Sequence, residues 1–424
     1  MAPDPKHVLG AFLTFTMFAM LANMIKKDHF DPVETQLPQL STVQFEVMKI
    51  EERKVSTLNR VNKGQWNKVS QELKPCWKQP GARLTEEAEK PRGYVTFSLT
   101  NGPEYHIAQV ADAVMVAKYL GATLVIPDIR GSKLGDKRNF ADIYDVEKFV
   151  KSLDGVVKIA KEQPAEVAAG KLAVVKIPNR VTEKYIAEHI EPLLRTKRNI
   201  RLVTFFPSIN MKIRETDQEA DSVACLAMFG TLELQKEIIE TVDSMLARLR
   251  TLSRRSDGQF VAVDLRVDIL QGKGCKDTGM KGKSCYTPEE TAVFLQKIGF
   301  ERETTIYVTQ PRWHESLEAL KDKFPNTYTK ESIVPADKKQ KFLDLESPHL
   351  EKVLDFHICS QSDVFVPAIS GLFYANVAGR RIASGTGNTL VPSQIQGSSA
   401  PATNFVSPYI SKKNHMAYSC YCDN

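Results

Sequence analysis

Three short segments of this chain place acid–base or anion-binding residue types beside predicted turns, where a sheet protein keeps its chemistry. The first is Asn101-Gly102-Pro103-Glu104-Tyr105-His106. A glycine-proline turn entering a helix presents backbone amides and the positive end of the helix dipole, which favours an anion. Glu104 can serve there as a general base, or it can simply complement the dipole while His106 packs inward. The second is Asp264-Leu265-Arg266-Val267-Asp268, directly after the apolar run FVAV. If the strand continues, alternation puts both aspartates and Arg266 on one face, and an arginine fork flanked by carboxylates suits a diphosphate. An ion-pair ladder at a strand end uses the same residues. The third is Ser362-Asp363-Val364-Phe365-Val366-Pro367, followed by Ser370-Gly371-Leu372-Phe373. Hydroxyls and amides there can cradle phosphate while Phe365 packs a base or sugar, although a buried strand followed by a helix cap needs the same residue types.

Each segment requires elements to hold it. GYVTFSLTNGP alternates from Gly93 and stops on Asn101, Gly102 and Pro103, as a strand and turn do. Ile107, Val110, Val114, Ala117 and Leu120 then follow helical spacing, Gly121 stops the helix, and ATLVIP (122–127) reads as a buried parallel strand. Together they form one βαβ unit, the opening of a doubly wound domain. Strands LAVVKIP (172–178) and IRLVTFFP (200–207) and a helix over 232–252 complete a first half. A second series runs through strand FVAVDLRVDIL (260–270), helix 288–298, strand TTIYVT (304–309), helix 313–324 and strand SDVFVPA (362–368). The pattern predicts an α/β protein of two Rossmann-like domains facing a cleft, 93–255 and 256–395, with a Ser, Gly and Pro-rich, loosely structured end and a tail at 396–424. No GxGxxG follows the first strand, so a conventional NAD fingerprint is not supported.

The chain has 424 residues, 42% hydrophobic and 25% charged, an ordinary globular composition. A net charge of +6 suits small anionic ligands. Its basic residues are dispersed and no recognition motif is present, so nucleic acid is not an expected partner. Val8 to Ile25 reads VLGAFLTFTMFAMLANMI, eighteen uncharged residues that span about 27 Å as a helix. Lys26, Lys27 and Asp28 follow it in place of a small-x-small cleavage site, which predicts a signal anchor at 8–25 rather than a signal peptide. A leader at 1–7, one span and a polar stem at 26–92 fit a type II protein with its bulk in the lumen, and so short a span fits a thin secretory membrane. In an oxidising lumen Cys275 and Cys285, close across a Gly and Lys-rich loop, are expected to pair. Cys420 and Cys422 are within the choice of Cys76, Cys225 and Cys359, and seven cysteines leave at least one thiol over within the chain.

In this order the three segments resemble those of the plant O-fucosyltransferase-like glycosyltransferases, over about Gly93 to Gly385. TNGPEYHIAQVADAVMVAKYLGATLVIPDIRGSK, YDVEKF, AVDLRVDIL, TIYVTQPRW and SDVFVPAISGLFYANVAGRRIA are similar to the mannan synthesis-related subgroup, Golgi proteins connected with cell-wall glucomannan. The resemblance implies a GT-B type inverting hexosyltransferase with an acceptor-side N-terminal domain and a nucleotide-sugar C-terminal domain. It implies GDP-fucose or GDP-mannose as donor, a polysaccharide or glycan as acceptor, and no metal or other cofactor. The family's His-x-Arg motif, whose arginine grips the donor diphosphate, matches Asp264 and Arg266, with the histidine replaced. Its Ser-Asp-x-Phe segment matches Ser362, Asp363 and Phe365. One branch has Pro-Glu in the first turn, and that glutamate is the proposed base, which makes Glu104 the candidate base here. Asn101, Gly102, His106, Asp264, Arg266, Asp268, Ser362, Asp363 and Phe365 then form the expected donor-binding set. The alternative is a catalytically silent partner or scaffold that supports a separate mannan synthase complex.

Overall fold

The computed structural model describes residue 66 and residues 73–77, 92–100, 102–130, 137–170, 172–205, 211–213, 222–273, 283–343 and 348–422. The expected leader and membrane span, most of the expected stem, Asn101 and Cys275 lie outside these residues. No helix among the described residues is long and apolar enough to cross a membrane.

The N-terminal half carries strands β1 (Tyr94–Thr96), β2 (Thr123–Val125), β3 (Ile159–Ala160), β4 (Ala173–Pro178) and β5 (Asn199–Phe205), all parallel, in spatial order β3-β2-β1-β5-β4. Helix α1 (Pro103–Leu120) connects β1 to β2 as its spacing predicts. Pro103 occupies its first turn, where the missing N–H costs no bond, and Gly121 ends it in the left-handed conformation at φ 60°. Helices α2 (Ser222–Phe229) and α3 (Lys236–Leu252) complete this half.

The C-terminal half is a second parallel sheet of β6 (Phe260–Asp264), β7 (Thr305–Val308), β8 (Thr327–Thr329) and β9 (Val364–Pro367), in order β8-β7-β6-β9. Around it lie α4 (Val267–Lys273), α5 (Pro288–Lys297), α6 (Pro348–Gln361) and α7 (Leu372–Ala383). The two-residue period of a strand sorts its apolar side chains into two layers. Val261, Val263, Ile306, Val308, Val364 and Val366 fill a core on one face. Phe260, Ala262, Tyr307 and Phe365 point the other way, into a core continuous with Val95, Val110 and Val114 of the first half. Helices α6 and α7 pack on α1, so the two halves share apolar interior rather than meeting only at a hinge.

The structure corrects two expectations of element boundaries. The strand that begins at Phe260 stops at Asp264 and the chain turns into α4 at Val267, so Asp268 lies exposed in a helical first turn rather than on the Asp264 strand face. The stretch from His415 to Cys422, within the expected tail, is also packed. His415 and Cys420 are fully buried, and strand Tyr421–Cys422 pairs antiparallel with Lys74–Pro75 from within the expected stem. Disulfides join Cys76 to Cys422 and Cys225 to Cys420. Trp77 and Phe229 both pack edge-on to Tyr421. Cys285 is held in a disulfide, and Cys359 is a buried free thiol. His415 donates from Nε2 to the Ala375 carbonyl at 3.0 Å while its Nδ1 accepts from the Ala417 amide at 3.0 Å, which fixes a neutral imidazole. That ring lies against Gly379, where a Cβ would strike it.

Candidate active site between the two halves

Each sheet reverses direction once. In the first the chain builds β1, β2 and β3 outward and then returns to the other side of β1. In the second it builds β6, β7 and β8 and returns to the other side of β6. The crevices at these reversal points, at the carboxyl ends of β1 and β6, are where doubly wound sheets bind ligands. Glu104 follows β1, and Asp264 and Arg266 close β6.

Glu104 stands in the first turn of α1 and is buried, with its side chain 8% exposed. Gly102 makes room for it, because a Cβ at Gly102 would fall on the Glu104 carboxylate. The opposite half holds the residue in place. Lys352 Nζ of α6 lies 3.6 Å from Oε1, and Asn376 Nδ2 of α7 donates to the Glu104 carbonyl at 2.9 Å. Oε2 is buried with no hydrogen-bond partner.

At the end of β6 the backbone is anchored by β7. Leu265 N donates to Thr309 Oγ1 at 3.0 Å, Thr309 Oγ1 donates to Asp264 Oδ1 at 3.0 Å, and Val267 N donates to Gln310 Oε1 at 2.9 Å. Arg266, 9% exposed, lies 3.4 Å from Asp264 Oδ1 and stacks over Phe373 at 5.2 Å from the ring centre. Its Nε is buried and unpaired. Burial opposes the guanidinium charge, but Asp264, Glu104, Asp355 and Asp268 together outweigh it and raise the Arg266 pKa. Burial pushes the Asp264 carboxyl upward against Arg266 and Thr309, with Asp355 and Glu104 adding to the rise. A buried donor and a buried acceptor left without partners each cost about 1–3 kcal/mol. Arg266 Nε and Glu104 Oε2 carry that cost where the two halves meet, and a polar ligand would relieve it.

Behind Arg266 stands a buried charge network that the sequence reading missed. Lys330, the first residue after β8 and 1% exposed, bonds Asp355 Oδ2 at 2.7 Å and lies 3.6 Å from Glu351. Tyr307 donates to Asp355 Oδ1 at 2.7 Å. The available signal was Glu351 and Asp355 at i,i+4, which on a helix offers two carboxylates to one cation.

Of the expected site residues, the structure brings Glu104, Asp264 and Arg266 together, with Gly102 supporting Glu104 and Asp268 near only through its charge. His106 is fully buried, and its Nδ1 lies 2.8 Å from the Tyr144 hydroxyl, so it packs within the first half. Ser362, Asp363 and Phe365 lie elsewhere. Ser362 and Asp363 precede β9, and Asp363 Oδ2 accepts from Phe260 N at 3.0 Å and pairs with Arg250 at 3.2 Å. They therefore sit at the amino end of the sheet, about 13 Å from Asp264 at about 3.3 Å per strand residue. Ser362 O and Oγ accept from Arg381 Nη1 at 2.6 and 3.1 Å, and Phe365 is fully buried in its strand. These three build the scaffold and do not reach the Arg266 crevice.

The sequence model of the GDP-fucose protein O-fucosyltransferase family matches residues 94–383. Two Arabidopsis thaliana proteins, MANNAN SYNTHESIS-RELATED 2 and MANNAN SYNTHESIS-RELATED 1, are 53% and 54% identical to this chain, with all of each sequence covered. MANNAN SYNTHESIS-RELATED of Trigonella foenum-graecum is 46% identical, with 98% of each chain covered. With its two parallel sheets, paired crevices and full-length relatives of one kind, the chain belongs to the O-fucosyltransferase family and to its mannan synthesis-related subgroup.

Proposed function

We propose that this protein is a Golgi glycosyltransferase of mannan (glucomannan) biosynthesis in the plant cell wall, a single-pass type II membrane protein with a lumenal catalytic region. It transfers a hexose from GDP-fucose or GDP-mannose to a polysaccharide or glycan acceptor, with inversion and without a metal. One observation carries this reading: Arg266 and Glu104 converge from the reversal points of two facing sheets, each with an unpaired buried polar atom. Glu104 takes the proton of an acceptor hydroxyl as that oxygen bonds to the anomeric carbon. The bond from that carbon to the donor diphosphate breaks on the opposite face, and Arg266 meets the charge that the departing diphosphate gains. A base and a cation on opposite sides of the sugar produce inversion. The family membership and the names of the full-length relatives support the reaction class and the polysaccharide. The disulfides suit an oxidising lumen.

A second reading, a silent scaffold for a mannan synthase, draws on Asp264. Its carboxylate already pairs with Arg266 and opposes an arriving diphosphate. Calorimetry of the full chain with GDP, GDP-fucose, GDP-mannose and UDP-rhamnose separates the two. The transferase reading expects saturable binding of GDP and a GDP-sugar, and no heat from any of the four would leave only the scaffold.

A further inference from the structure

A groove partly open to solvent runs between the two halves. Tyr144 and Phe229 of the first half and Phe356 of α6 supply aromatic walls, and α7 contributes Asn376 and Arg380. Arg266 does not line it, and the groove adjoins the Glu104 side of the crevice through Pro103 and Asn376. Asn376 and Arg380 stand at i,i+4 and therefore share one face of α7, about 6 Å apart along its axis.

The two polar residues are incompletely used. Asn376 is 3% exposed, and its Nδ2 donates to the carbonyls of Glu104 and Leu372 at 2.9 and 3.0 Å, which fixes the amide orientation. Its Oδ1 is left buried and unpaired. Among the described residues no carboxylate forms an ion pair with Arg380, whose charge acts on the Tyr421 hydroxyl and on His357. His357, also in the wall, does not share the charge, because burial and Arg380 push its pKa down to about 3. The groove thus combines aromatic walls, one cation and one acceptor that lacks a donor.

The geometry points to a binding site for a small hydroxylated aromatic carboxylate, whose carboxylate pairs with Arg380, whose hydroxyl donates to Asn376 Oδ1 and whose ring lies between Tyr144, Phe229 and Phe356. Its occupant touches both halves.

The test uses 4-hydroxyphenylacetate as probe, with its methyl ester and phenylacetate as controls, titrated calorimetrically into the full chain. The acid should saturate one site, the ester should bind at least tenfold more weakly, and phenylacetate should bind several-fold more weakly. Arg380→Gln should weaken the acid about tenfold and leave the ester unchanged. Arg266→Ala should leave acid binding intact while weakening GDP, so failure here is separable from failure of the transferase reading. Equal affinity for acid and ester, an unaltered affinity in Arg380→Gln, or no binding of any probe overturns the proposal. If Arg380→Gln does not fold, the comparison of acid with ester in the wild-type chain decides alone.

Discussion

At the scale of single residues, the Asp264–Arg266 pair sets how the crevice treats an anion. Asp264 holds Arg266 in place but repels a diphosphate, and its buried carboxyl is already pushed toward the protonated form. Protonation removes the repulsion, so GDP should bind more tightly as pH falls through the raised Asp264 pKa. Asp264→Asn should tighten GDP binding by about tenfold at neutral pH, since one like charge at close range is worth about 1 kcal/mol or more, and it should flatten the pH dependence. A variant with unchanged affinity and an unchanged pH profile would exclude Asp264 from this role. Glu104→Gln keeps the shape of the side chain and removes the base. It should leave GDP affinity within about twofold while lowering transfer by about a hundredfold or more. Retained turnover would move the base elsewhere.

At the scale of elements, the start of α1 is the part most sensitive to a small change. Gly102→Ala would put a methyl group where the Glu104 carboxylate lies, so that carboxylate has to move. Transfer should fall at least tenfold, with a melting temperature close to that of the wild type, in a paired assay of turnover and thermal unfolding. The elements that position Glu104 were legible in the sequence because β1, α1 and β2 form a local unit with clear periodicity and a glycine stop. The second sheet was legible less completely. The continuous apolar character of FVAVDLRVDIL does not mark the break after Asp264, because Leu265 and Val267 remain buried in the turn that follows. Strand β8 has only three residues, too few to show a period. Ser362, Asp363 and Phe365 matched a motif, yet a motif carries no information about which part of a strand it occupies: bonds to Arg381 and Phe260 hold Ser362 and Asp363 at the end of β9 away from Arg266, and Phe365 is buried midway along it.

At the scale of the whole molecule, stability should depend on acidity through buried imidazoles. His415 is fully buried, and burial, with Arg180 nearby, lowers its pKa to about 3 from 6.5, despite its bond to Ala375. Below 6.5 the unfolded chain takes up a proton that the folded chain refuses, so stability is greatest above that value and declines as pH falls toward 3. From pH 7 to pH 5 this one residue accounts for about 2 kcal/mol. The raised carboxyls of Asp264, Glu351 and Asp355 contribute with the opposite sign, so a comparison of variants is needed to isolate it. Urea unfolding of His415→Gln should show a loss between pH 7 and pH 5 smaller by about 2 kcal/mol than that of the wild type. An equal loss in both would assign the dependence to other groups.

The two disulfides that end on Cys420 and Cys422 span 195 and 346 residues. At about 5–20 residues per second of synthesis, Cys225 waits about 10–40 s for its partner and Cys76 about 17–70 s. During that time both thiols are present in the growing chain and their proper partners are not. In an oxidising compartment the premature pairings open to them are with each other or with Cys275, Cys285 and Cys359, and any such bond is undone by thiol exchange before the native pairs form. In such a compartment the yield of folded protein should follow the supply of disulfide isomerase, which expression with and without added isomerase would measure.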